Sequence, residues 1–87
     1  MKSHSKLYIR VERVRDPWDK KVLDWTCEVW VRSFVEDTEV LFSPEDSLIE
    51  EMAIWTREQG GERTAWNRFS FPTEEGATMF VLRWSDA

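Results

Sequence analysis

Residues 43–61 read SPEDSLIEEMAIWTREQGG, and this stretch decides the fold class. Ser43 offers an N-cap hydroxyl and Pro44 suits the first helical position. Glu45 and Asp46 then set negative charge against the helix dipole. Leu48, Ile49, Met52 and Trp55 recur at helical spacing, and Gly60-Gly61 closes the run. The pattern predicts an amphipathic helix over residues 44–59. At about 100° per residue the four apolar side chains share one arc. Ile54 falls nearly opposite them, among Ser47, Glu51 and Glu58.

The segments on either side read differently. Leu7, Ile9 and Val11 alternate with Tyr8, Arg10 and Glu12, the period of a strand with one buried face. Asp16-Pro17-Trp18-Asp19 is a turn signal. Residues 22–34 admit two readings. A helix would align Leu23, Cys27, Trp30 and Phe34, whereas a strand puts Leu23, Trp25, Cys27, Val29 and Val31 on one face. The alternation is cleaner and the residues are β-branched or aromatic, so a long strand is predicted, paired with the first. Glu36-Asp37-Thr38 turns the chain into a short third strand, Glu39-Val40-Leu41-Phe42.

Downstream, residues 63–71 alternate again, with Ala65, Asn67, Phe69 and Phe71 opposite Trp66, Arg68 and Ser70. Pro72-Thr73-Glu74-Glu75 can open a second helix with Ala77, Phe80, Val81 and Trp84 along one face. Residues 79–84 also fit a last strand, and Gly76 disfavours the helix. The expected order is β-β-β-α-β-α: an α+β fold, a small antiparallel sheet with one or two helices on one face. Residues 1–87 form a single domain in this reading. Leu48, Ile49, Met52 and Trp55 are expected to pack on Leu23, Trp25, Val29, Val31, Phe69 and Phe71.

A domain of 87 residues buries a modest share of its surface and needs large core side chains. Six Trp, five Phe and one Tyr supply them. Cys27 is the only cysteine and His4 the only histidine, so neither a disulfide nor a zinc set can be assembled within the chain. Cys27 reads as a small apolar core residue. No phosphate loop, metalloprotease helix, redox pair or nucleophile elbow occurs. No catalytic residue, metal or cofactor is therefore expected, and the chain does not read as an enzyme. No apolar run follows the N-terminal charges, and none approaches the roughly 20 residues of a membrane span. A cytoplasmic location without membrane association is expected.

Charge is segregated along the chain. Residues 1–35 hold eight Lys/Arg and five Asp/Glu, whereas residues 36–62 hold nine acids and one base, Arg57. Helix N-terminal preference accounts for Glu45 and Asp46. It does not account for Glu36, Asp37, Glu39, Glu50, Glu51 and Glu58 on elements that commonly mix signs. Mutual repulsion among these acids points to a basic, nucleic-acid-binding protein as partner, with Ile54 as an apolar anchor.

Two further readings compete with that one. Trp18, Trp30 and Trp66 fall on polar or turn positions, where they could stack the bases of a small nucleotide ligand. An exposed strand edge could instead make the chain an assembly subunit. The N-terminal strands also interleave Lys6, Arg10, Arg13, Arg15, Lys20, Lys21 and Arg32 with Tyr8, Trp18 and Trp30. Glu12, Asp16, Asp19, Asp24 and Glu28 dilute that surface, so direct nucleic-acid binding is not expected.

The final segment reads Phe71-x-x-Glu74-x-x-Ala77-x-x-Phe80-x-Leu82-Arg83-Trp84. It resembles the closing element of many small tailed-phage accessory proteins, and Asp24-Trp25-x-Cys27-Glu28 has the same flavour. Gly76 stands where those proteins usually carry Asp. The resemblance assigns no functional residue. It implies a phage-encoded accessory protein acting in the infected host's cytoplasm, a class rich in inhibitors of host and defence machinery.

Overall fold

A fourteen-residue strand, β2 (Val22–Val35), forms the spine of the fold. The computed structural model describes residues 6–85; His4 lies outside them. One edge of β2 pairs antiparallel with β1 (Lys6–Arg15), from Lys6↔Arg32 to Arg15↔Val22. The other edge is shared between two strands. β5 (Arg68–Phe71) pairs with residues 25–28 of β2, and β3 (Thr38–Phe42) pairs with residues 31–35. β4 (Glu62–Ala65) continues the sheet outside β5, giving the order β1-β2-β5-β4 with β3 beside β2. Two helices, α1 (Asp46–Glu58) and α2 (Glu74–Trp84), complete the order β-β-β-α-β-β-α. The predicted α+β class and antiparallel sheet are what the structure has.

The strand parity of β2 and β5 is also as read, whereas Ala65 of β4 falls opposite Arg68 and not on the Phe69 face, because the register shifts after Arg63. Cys27 and Val29 of β2 are buried with Phe69 and Phe71 of β5, directly across from β2, under Ile49, Met52 and Ala53 of α1 and Ala77 and Phe80 of α2. Leu7, Ile9, Trp25, Leu48, Trp55 and Trp84 pack around that centre. Trp55 meets Phe71, Phe80 and Trp84 edge-on, with ring centroids 6.0–6.4 Å apart. The Cys27 thiol is fully buried and donates to the Ala77 carbonyl, and burial pushes its pKa up to about 12.

Three expectations need correction. First, residues 63–71 are a hairpin, not one strand. The Arg63 Nε–H donates to the Ala65 and Trp66 carbonyls across the turn, and the Asn67 amide donates to the Val29 carbonyl at 2.8 Å. The alternation runs on through the turn, so the sequence pattern conceals it. Second, α1 begins at Asp46 with Glu45 at the N-cap and no side-chain cap; Pro44 is buried ahead of it, and Ser43 caps nothing. Third, Leu23 is 54% exposed. It lies opposite the register irregularity between Val14 and Arg15, and β5 pairing stops at Trp25. Residues 79–84 are helical, as the expected β-β-β-α-β-α order has them, which settles the two-way reading there. Thr73 caps α2 by accepting the Gly76 N–H, and a Cβ at Gly76 would lie 2.8 Å from the Phe71 ring, so glycine lets α2 approach.

Candidate binding site

The acidic block divides between two places. Glu36 and Asp37 form the two-residue β2–β3 turn, with φ of 50° and 65° as a type I′ hairpin requires. The five residues of β3, about 17 Å at strand rise, separate that tip from the approach to α1. Several acids have evident local work. Glu39 pairs with Arg32 at 2.7 Å, and Glu50 pairs with Arg63 of β4 at 3.5 Å. Glu45 at the N-cap and Asp46 in the first turn of α1 set their charge against the helix dipole.

Glu51 and Glu58 on α1 and Glu62 at the start of β4 remain. All three are exposed, and none forms an ion pair among the described residues. At 100° per residue Glu51, Ile54 and Glu58 lie within about 60° of arc. Ile54 is 51% exposed between the two carboxylates. Beside this row, Trp55, Arg83 and Trp84 complete a shallow groove of about 300 Å³ between α1 and the end of α2. The Arg83 guanidinium lies 4.3 Å from the Trp84 ring centroid, and the Trp55 and Trp84 rings meet at 87°. The enclosed Trp84 Nε1–H has no acceptor among the described residues. A groove with aromatic walls and carboxylates at its rim suits an aliphatic stem ending in a cation. Sequence reading found Ile54 and its acids but assigned Trp55 and Trp84 to the core alone. Their half-burial follows from the α1–α2 junction, which local periodicity cannot see.

The three tryptophans considered for ligand stacking do not share a pocket. Trp18 is 91% exposed in the β1–β2 turn, its N–H bonded to the Asp16 carboxylate. Trp30 lies on the open face of the sheet, eight residues along β2 from Val22, about 27 Å at strand rise. Trp66 occupies the β4–β5 turn.

On that open face three arginines are already engaged. Arg10 pairs with Glu12 at 3.1 Å, Arg32 with Glu39 at 2.7 Å, and Arg68 with Glu28 at 3.1 Å. The Trp30 Nε1–H donates to Glu28, and this bond, with Arg68 beside it, holds the Glu28 carboxyl below its ordinary pKa. Among the described residues no three His, Cys, Asp or Glu side chains gather as metal ligands, and no helix is long and apolar enough to cross a membrane. No protein-family model, curated protein or solved structure matches the chain.

Proposed function

We propose that this protein is a non-enzymatic inhibitor, phage-encoded as its C-terminal segment implies, that binds a basic nucleic-acid-handling protein of the host or its defences. The observation that carries this reading is the Glu51–Ile54–Glu58 row beside the Trp55–Trp84 groove. The two carboxylates take the place of phosphates before the target's Lys and Arg. Ile54 and the Trp84 ring supply apolar area that phosphate-like charge alone lacks. The hairpin acids Glu36 and Asp37 extend the negative field and speed encounter more than they add affinity.

The test begins with a pull-down from host lysate at low and high salt, which supplies the target. Association kinetics are then compared for the wild type and a Glu51→Lys/Glu58→Lys variant. The variant's association should be about tenfold slower or worse at low salt, with a flatter salt dependence. Unchanged kinetics would remove α1 from the interface and this function with it.

A further inference from the structure

β1 is an edge strand with nothing on its outer side among the described residues. Its pairing to β2 is regular from Lys6 to Val14, with no proline or bulge to blunt the free edge over that run. The other edges are shorter: β3 has five residues, and β4 has four with a register shift. Such an edge exposes unpaired backbone donors and acceptors, and a second strand is their natural complement.

Which backbone groups point outward follows from the ladder. The Val29 N–H donates to the Asn67 carbonyl, so the odd residues of β2 aim their backbone groups away from β1. The even residues of β2 therefore bond the even residues of β1, through Tyr8↔Trp30, Arg10↔Glu28 and Glu12↔Thr26. Leu7, Ile9, Val11 and Arg13 are left aiming their N–H and C=O groups outward.

We propose that this edge pairs antiparallel with β1 of a second copy, on a two-fold axis through Val11. Outward parity allows an axis at any residue of the strand, and charge and length select among them. An axis at Ile9 also opposes Lys6 to Glu12 but pairs only residues 6–12 of β1. An axis at Arg10 or Glu12 sets like charges face to face. The axis at Val11 places Arg10 opposite Glu12 of the second copy, and does so twice, so that the 3.1 Å pair each chain makes between its own Arg10 and Glu12 becomes part of a four-charge cluster of alternating sign. These fall at non-hydrogen-bonded positions, where cross-strand side chains approach most closely. The same register pairs residues 7–15 over their full length.

The apolar surface lies where this arrangement needs it. Val11 is 42% exposed, and it lines a groove of about 200 Å³ with Trp25, Val81 and Leu82 at the β1–α2 junction. Leu82 is 72% exposed. In the dimer the two Val11 side chains meet on the axis, on the helix side of the joined sheet. The two α2 helices flank them and bring Val81 and Leu82 toward the shared centre. This interface is independent of the acidic face of α1.

Sedimentation velocity on the full chain should show twice the monomer mass at micromolar concentration. Val11→Pro removes only an outward donor, so it should give a monomer. Glu12→Arg and Arg10→Glu each set like charges across the axis, and each should weaken self-association about tenfold. Mixed together, these two variants carry complementary pairs and should form a heterodimer at least as tight as the wild-type dimer. The charge variants decide the matter if Val11→Pro fails to fold. A wild-type monomer throughout the micromolar range overturns the proposal. So does a dimer indifferent to Glu12→Arg, or a mixture no tighter than either variant alone.

Discussion

Gly60 and Gly61 close α1 together, yet the structure requires glycine at each for a different reason, and substitution separates the two. Gly60 has φ of +86°, and nothing lies within 4 Å of where its Cβ would stand. The Gly60 N–H donates to the Arg57 carbonyl and the Gly61 N–H to Thr56, the paired bonds of a left-handed helix stop. Gly60→Ala therefore meets only backbone strain, about 1 kcal/mol, and Gly60→Asn less. At Gly61 a Cβ would sit 2.6 Å from the Ser70 carbonyl oxygen and 2.7 Å from the Phe71 ring, inside the 3.4–4 Å of ordinary contact. Neither neighbour yields readily. Ser70 is buried in β5, and the Phe71 ring is held against Trp55 and Phe80. Overpacking of this kind costs about 3 kcal/mol. For a domain of this length each kcal/mol lowers Tm by about 4–8 °C. Gly60→Ala should then lose about 4–8 °C and Gly61→Ala about 12–24 °C, measured by tryptophan fluorescence on heating and by urea titration. A Gly61→Ala protein that melts no lower than Gly60→Ala would refute the close approach of Gly61 to β5, and with it the docking of α1 on the β4–β5 hairpin.

Other substitutions probe the core and the open sheet face. Trp55→Ala empties a site walled by Phe71, Phe80 and Trp84 and should cost about 3–5 kcal/mol, whereas Trp18→Ala should stay within about 0.5 kcal/mol. Melting curves in the reverse order would displace the core. Trp30→Phe removes the strongest influence holding down the Glu28 pKa, so the carboxyl should titrate closer to its ordinary value. A depressed folded-state pKa stabilises above the unfolded value, and that contribution is lost as pH falls through the folded one. The variant's stability deficit at pH 7 should accordingly shrink below about pH 4. Urea midpoints at the two pH values check this, and a deficit that is constant with pH would mean Glu28 does not feel the indole.

Much of the fold was legible because local period and tertiary burial agree along most of the chain. Trp25, Cys27 and Val29 of β2 face the helices as their alternation predicts, while Val31 lies outside the core, and Ile49 and Met52 of α1 reach the core as helical spacing predicts. Misreadings occur where a tertiary contact decides. The β4–β5 turn carries no glycine or proline and is held by Arg63 and by Asn67 reaching across to Val29, so nothing local announces it. Leu23 has a core residue's chemistry and a core residue's parity. It is exposed because the register slips beside it and β5 ends one pair short. The Gly76 position works the other way. A helix-weakening residue in sequence becomes the one that admits α2 against Phe71.

The acidic block shows how far charge counting reaches. From composition, nine acids in 27 residues read as one surface. In three dimensions Glu36 and Asp37 satisfy a turn, Glu39 and Glu50 satisfy arginines, and Glu45 and Asp46 serve a helix start. What these local explanations leave is Glu62 in β4 and, on the outer face of α1, Glu51 and Glu58 flanking Ile54. We read that remainder as the partner-facing surface of the proposed function, because no contact among the described residues accounts for it. It also lies where self-association cannot hide it. α1 packs on β4, whereas the free edge of β1 is at the opposite side of the sheet. Two copies joined at β1 would leave both acidic faces open, at the far ends of one continuous sheet. A target presenting two basic sites at that spacing would engage the second at high effective concentration, so each shallow groove need bind only weakly.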